Sequence, residues 1–381
     1  MEDREEILNK TKRVVIKIGS KALADESGQI SYSRIKYLAS SVKHLRSKNI
    51  DCLIVSSGAI LAGNELFSLN IKKINIVKKQ AIASIGQLKL MSYYIKAFQK
   101  QKIDVSQLLL TNDIFSDRKR FLNARATILE LINMKIVPVI NENDTVSVDE
   151  IMFGDNDILA SKVASMMDAD CLILLTDTNG LYSSNPKKNK EAKLIQVIKE
   201  ENFDSTVISD STEDISFGGM KSKIEASLEV SKFGMPTIIA NGKNKDELVR
   251  IFNYEDVGTV IMPSSNKIKN RKKWISIGPK SSGRLLLDQG ASEAITKKGK
   301  SLLPSGILKV EGKFIKGAQV SCVNVKTNKE IAKGLISYDS KEINQIKGMK
   351  SKDIEKILGY KYSDEVINRD NMVIVKDLDE I

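Results

Sequence analysis

The chain has 381 residues, 41% hydrophobic and 28% charged, with a formal net charge of +12, an ordinary globular composition long enough for one large domain and a smaller one. No apolar run reaches the length of a membrane span and the start MEDREEILNK lacks the apolar stretch of a secretory signal, so the expectation is a cytoplasmic protein with no membrane association. A single histidine and three dispersed cysteines without CxxC spacing exclude Ser-His-Asp hydrolysis, Cys-His proteolysis and histidine-ligated zinc.

From Arg13 to about Pro263, β-branched and leucine-rich runs alternate with helical patterns, the signature of an α/β domain with a mainly parallel sheet sandwiched by helices. In chain order the expected strands are Val14 to Ile18, Cys52 to Ser56, Val105 to Thr111, Val137 to Asn141, Cys171 to Thr176, Thr237 to Ala240 and Thr259 to Met262. Most do not alternate and so read as fully buried. Helices are expected over Ser33 to Lys48, Ile82 to Phe98, Arg120 to Met134, Ile158 to Met167 and Met220 to Phe233. His44 falls on the first of these, beside the apolar positions Ile35, Leu38, Val42 and Leu45, and is expected on its surface. Cys52, Cys171 and Cys322 lie in apolar runs and are expected to be buried thiols.

The charged stretch KIKNRKK, Lys267 to Lys273, reads as a linker, dividing a catalytic domain over 1–268 from a smaller domain over 274–381. In the second part Gly283 to Leu287, Leu308 to Val310, Gln319 to Val325 and Glu330 to Ile336 are short strands with glycine-bearing turns, which predicts a compact β-rich unit with one or two small helices. Most of the excess of positive over negative charge sits here, with 22 Lys and Arg against 14 Asp and Glu from Arg271 onward. Such a module reads either as a nucleic-acid surface or as a solvated one.

Ligands of open α/β sheets bind at the carboxyl ends of the strands. The polar groups following the apolar runs are Lys17-Ile18-Gly19-Ser20, Ser56-Ser57-Gly58-Ala59, Asn141-Glu142-Asn143-Asp144, Gly154-Asp155-Asn156-Asp157 and Thr176-Asp177-Thr178-Asn179-Gly180. Phe217-Gly218-Gly219-Met220-Lys221-Ser222-Lys223 precedes a later helix. Singly each is a common turn composition. Together they bring two lysines, glycine-bearing turns and a cluster of Asn and Asp to one sheet edge, a phosphate site made from glycine turns, helix N-terminal amides and lysines. Competing motifs fail: Gly299-Lys300-Ser301 lacks the first glycine of a Walker A loop, no GxGxxG is present, and Asp155-Asn156-Asp157 lacks the distal glutamate of an EF-hand.

The segments KIGS, SSGA, VPVINEND, GDND, LLTDTNGLY and GGMKSK, with RFLNAR at Arg120 to Arg125, stand in the order and spacing of the glutamate 5-kinases of the amino acid kinase family, and the resemblance runs over nearly the whole chain. The tail, with SLLPSGI at Ser301 to Ile307 and ILGY at Ile357 to Tyr360, resembles a PUA domain. The resemblance implies the amino acid kinase fold, ATP with Mg2+, L-glutamate as acceptor and L-glutamyl 5-phosphate as product. By that carry-over Lys17 and Lys223 contact the phosphates, Asp157 holds the lysines in place, and Gly19 and Ser20 contribute backbone amides. Ser57, Gly58, Asn141, Asp144, Asp155 and Asn156 hold glutamate, while Thr176, Asp177, Phe217, Gly218, Gly219, Met220, Lys221, Ser222 and Lys223 line the nucleotide pocket. Phe217 departs from the family, which usually has a small hydroxyl residue there. No protein ligand for the metal is singled out. The resemblance further implies a homo-oligomer, tetramer or dimer, proline as a feedback inhibitor, and glutamyl phosphate reductase as a candidate partner. The alternatives are a related kinase with another small carboxylate or phosphate acceptor, and an RNA-binding or RNA-modifying protein using the basic tail. The tail lacks an aromatic base-stacking signature, which weighs against RNA.

Overall fold

The computed structural model describes residues 2–115, 117–147, 156–184, 186, 189, 191–199, 218–263 and 281–375. Asp155, Phe217 and the expected linker Lys267 to Lys273 lie outside the described residues. The chain divides into two compact units, one covering 1–114 and 118–267, the other 115–117 and 268–381.

In the first unit the strands are β1 (Arg13–Ile18), β2 (Asp51–Ser56), β3 (Val105–Leu110), β4 (Val137–Glu142), β5 (Cys171–Thr176), β6 (Val197–Ile198), β7 (Thr237–Asn241) and β8 (Thr259–Ile261). They form one sheet in the order β3-β4-β2-β1-β5-β7-β8-β6, parallel throughout except for the β7–β8 pair. The helices are α1 (Glu2–Asn9), α2 (Ser20–Leu23), α3 (Tyr32–Ser47), α4 (Ala59–Asn64), α5 (Ile76–Gln99), α6 (Arg118–Asn133), α7 (Asn156–Met166), α8 (Gly218–Ser231) and α9 (Glu247–Phe252). Central strands such as β5 (CLILLT) and β4 (VPVINE) are buried at every position, because crossover helices cover a parallel sheet on both faces.

The expected strands and the five long helices all form, with three departures. The strand expected over Val105 to Thr111 stops at Leu110 and lies at the sheet edge, half-buried or exposed except at Leu110. The helix expected from Ile82 starts at Ile76, because the Asn75 side chain caps it by accepting from the Lys78 backbone N–H at 2.9 Å. His44 is half-buried rather than on open surface, since α3 packs against α5 and α9 as well as β2. Cys52, Cys171 and Cys322 are buried free thiols, as expected, and burial pushes each up to about 12.

The second unit contains β9 (Arg284–Leu287), β10 (Ile307–Glu311), β11 (Gln319–Asn324), β12 (Glu330–Leu335) and β13 (Met372–Ile374), in the order β10-β9-β11-β12-β13, with only β9–β11 parallel. Among the described residues three helices accompany them, α10 (Gln289–Thr296), α11 (Ser340–Ile346) and α12 (Ile354–Leu358), where one or two were expected. Its own core gathers Leu285, Leu287, Val320, Tyr338, Ile343 and Ile367, among others. Among the described residues no helix is long and apolar enough to cross a membrane.

Candidate active site

The strand order sets out the site. Four adjacent strands, β4, β2, β1 and β5, end side by side, and between β1 and β5 the chain switches from one side of the sheet to the other, the place where open α/β sheets hold ligands. Read across these tips, β4 delivers Asn141 and Asp144, β2 delivers Ser57 and Gly58, β1 delivers Lys17 and Gly19, and β5 delivers Thr176 and Asp177.

Helix α7 begins above these tips, and its first two residues divide the work between them. Asp157 takes both lysines: the Lys17 Nζ lies 2.6 Å from its Oδ1 and the Lys223 Nζ, arriving from α8, 3.0 Å from its Oδ2. The Ser222 hydroxyl donates to the same Oδ2 at 2.9 Å. Lys17 is 3% exposed, Lys223 8% and Asp157 1%, so water does little to spread these charges. Burial pushes the Asp157 carboxyl up, but Lys17 and then Lys223 outweigh it and hold the group below the usual carboxylate range. Burial, and the neighbouring Lys17 ammonium, lower the Lys223 value against the opposing pull of Asp157. Two ammonium groups thus share one carboxylate at the strand tips, an arrangement fitted to an anion.

Asn156 turns the other way. Its Nδ2 donates to the Ser56 carbonyl at 3.1 Å, the Ser57 hydroxyl at 3.0 Å and the Asn141 Oδ1 at 2.8 Å. The Ser56 carbonyl can only accept, which fixes the orientation of the Asn156 amide. Asn141 Oδ1 also accepts from the Glu142 backbone N–H at 2.9 Å. Beyond Asn141, the Asp144 carboxyl is buried and its Oδ1 has no hydrogen-bond partner among the described residues. Burial and the neighbouring Glu142 push Asp144 up to about 7. A buried carboxyl with one oxygen unpartnered among the described residues, beside an amide network, is suited to a ligand with a positive group.

On the far side of the bridge, Thr176 Oγ1 donates to the Asp177 carboxylate at 3.3 Å, and α8 starts at Gly218 and Gly219. Its first turn leaves backbone N–H groups without intrahelical partners, a ready anion site. Lys221 pairs along α8 with Glu225 at 4.0 Å. Gly58 has φ +110°, the left-handed conformation that lets the chain turn from β2 straight into α4. The Gly19 N–H donates to the Leu175 carbonyl at 3.1 Å, tying the turn after β1 to β5.

Sequence reasoning missed a row on α5. Gln80, Gln87 and Tyr94 stand seven residues apart and each bonds a site segment: Gln80 Nε2 to the Asp144 carbonyl at 2.9 Å, Gln87 Oε1 from Asn141 Nδ2 at 2.9 Å, and the Tyr94 hydroxyl to Ser56 Oγ at 2.9 Å. The heptad spacing of polar groups on a mostly apolar helix was the available signal.

The amino acid kinase family matches residues 12–241 and the PUA domain residues 283–358. Glutamate 5-kinase from Thermoanaerobacter sp. (strain X514) is 45% identical over 365 residues, covering 96% of this chain and 98% of that protein. Glutamate 5-kinase from Syntrophus aciditrophicus is 43% identical, covering 98% and 97%, and that from Geobacter sulfurreducens 42% identical, covering 98% and 100%. A charge bridge at the β1–β5 switch point and full-length identity of this order lead to one assignment: the chain belongs to the amino acid kinase family, in its glutamate 5-kinase branch, with a C-terminal PUA domain.

Proposed function

We propose that this chain transfers the γ-phosphoryl group of ATP to the side-chain carboxylate of L-glutamate, giving L-glutamyl 5-phosphate, the first step of proline biosynthesis. The observation that carries the reading is the Lys17–Asp157–Lys223 bridge next to the Asn156–Asn141–Ser57 network. Adjacent residues of one helix turn thereby face a polyanion site and a polar pocket.

A glutamate side chain, with a reference pKa of about 4.3, is already ionised at neutral pH, so its attack needs no general base. One carboxylate oxygen bonds to the γ-phosphorus, the bond from that phosphorus to the β–γ bridging oxygen breaks, and ADP leaves with the electron pair. The obstacle is bringing two anions together and spreading charge over the equatorial oxygens of a loose transition state. In this reading Lys17 and Lys223 neutralise that charge, Asp157 keeps them charged and spaced, and the first turn of α8 adds fixed dipoles. A Mg2+ ion bound with the triphosphate would supply further charge screening beside Lys17 and Lys223. Among the described residues no group of three or more His, Cys, Asp or Glu is placed to hold a metal on its own.

In the acceptor pocket Asp144 takes the α-ammonium group, with Ser57, Asn141 and Asn156 orienting the carboxylates. This choice separates glutamate from acetylglutamate, whose nitrogen carries no charge. The same reading takes proline as an inhibitor competing near this pocket, glutamyl phosphate reductase as the enzyme receiving the product, and a homo-oligomer as the working form. Exposed Leu66, Phe67, Val77 and Leu88 around α4 and α5 support the last. The test is ADP release with glutamate, acetylglutamate, aspartate or UMP as acceptor, with and without proline. Glutamate is expected to give the highest kcat/KM; a higher value for another acceptor overturns the assignment.

A further inference from the structure

We propose that α5 is the positioning element of the acceptor pocket, and that Gln87 sets the pocket's affinity for glutamate by anchoring the Asn141 amide, through its Nδ2, toward α5. The proposal rests on the acceptor-pocket reading above.

A side-chain amide has two nearly isosteric ends, one accepting and one donating, and a buried amide must have the correct end on each neighbour. Asn141 is 1% exposed and Asn156 is fully buried, so water cannot repair a wrong choice. The Glu142 backbone N–H is a donor without alternative and requires the Asn141 oxygen on its side. Asn141 Nδ2 must then face α5, where it needs an acceptor, and the Gln87 Oε1 supplies one at 2.9 Å. With this arrangement the Asn141 oxygen also receives the Asn156 Nδ2. A flipped Asn141 would set an NH2 group against two donors, Glu142 N–H and Asn156 Nδ2. Removing the Gln87 acceptor takes away the contact that holds the buried Asn141 Nδ2 toward α5.

The rest of the helix serves the same end. Seven residues bring a helix back to nearly the same face, so Gln80 and Tyr94 flank Gln87 along one row and bond the Asp144 carbonyl and Ser56. One rigid helix thus holds segments following β2 and β4 in a common register. These three side chains act on the pocket through other residues, which makes them positioning rather than catalytic residues.

The test is steady-state kinetics of Gln87→Met and Gln87→Asn, the second being shorter by one methylene and keeping a polar amide for folding, beside Asn156→Ala. Both Gln87 variants are expected to raise the glutamate KM about tenfold with kcat and the ATP KM within about twofold. The Gln87→Met, Asn141→Ala double variant is expected to be no worse for glutamate than Asn141→Ala alone, because the effect passes through Asn141. If Asn156→Ala raises the glutamate KM and the Gln87 variants do not, the role of Gln87 is refuted and the pocket reading stands. If Asn156→Ala itself leaves that KM unchanged, the pocket reading fails first and takes the proposal with it. Equal losses in kcat and in both KM values, or full multiplication in the double variant, also overturn the route through Asn141.

Discussion

Lys17 at the end of β1 and Lys223 in the first turns of α8 are joined through the two oxygens of a single buried carboxylate, that of Asp157, at 2.6 and 3.0 Å. Each lysine is therefore fixed before any nucleotide arrives, and charge stabilisation costs little reorganisation at the moment of transfer. Lys17→Ala or Lys223→Ala is expected to lower kcat by on the order of a hundredfold or more. Circular dichroism and thermal unfolding establish that the variants are folded. Near-normal turnover in a folded variant would remove that lysine from the mechanism.

Asp157→Asn keeps the shape and removes the shared anion, leaving two ammonium groups that are 3% and 8% exposed without their common partner. Breaking a buried pair on one side costs about 3–5 kcal/mol, and a loss of that order is expected in urea unfolding at neutral pH. The pH dependence follows from the depressed Asp157 value. Its stabilisation is present above the unfolded carboxylate pKa of about 3.9 and is lost as pH falls through the lower folded value. The wild-type chain should lose stability in that acid range, and the Asn variant should lack this part of the loss.

The Asp144 carboxyl, pushed up to about 7 by burial and by Glu142, gives a different pH signature. A raised acid favours its protonated form in the folded chain, so its contribution to stability falls as pH rises from about 4 toward 7. Binding an ammonium group requires the ionised form. The glutamate KM is thus expected to fall with rising pH up to about 7 and to level off above it, while the ATP KM follows a different course. Asp144→Asn should raise the glutamate KM far more than the ATP KM and flatten the profile. A profile unchanged in the variant would assign the titration to another group.

The residues at the strand tips were legible in the sequence because a buried strand must deliver whatever follows it to the sheet edge, as with Lys17 after VVI and Asn141 after VPVI. Gln87 was not legible in the same way. The heptad spacing of Gln80, Gln87 and Tyr94 marks a row on α5, but which partner each meets is set by how α5 docks on the sheet. The exposure of β3 was hidden for a related reason, since strand order and not composition makes an edge. The two-residue β6 and three-residue β13 are too short to carry a period.

The crossing of α4 and α5 was equally invisible, and it supports the last prediction. A Cβ at Gly86 would stand 1.8 Å from the Ala59 carbonyl oxygen and 2.3 Å from the Gly63 nitrogen, and one at Gly63 would stand 2.1 Å from the Ile82 carbonyl oxygen. These obstacles are backbone atoms, so no side chain can swing aside to make room. Because α4 follows Ser57 and Gly58 directly, moving it away from α5 moves the turn that Asn156 holds at 3.0 Å. Gly86→Ala is expected to destabilise the chain by about 1–3 kcal/mol through overpacking and to raise the glutamate KM, with the ATP KM less affected. Thermal unfolding and kinetics on one preparation measure both. A variant with wild-type midpoint and wild-type glutamate KM would mean that the two helices do not meet backbone to backbone at Gly86, and that the Ser57 turn takes its position from elsewhere.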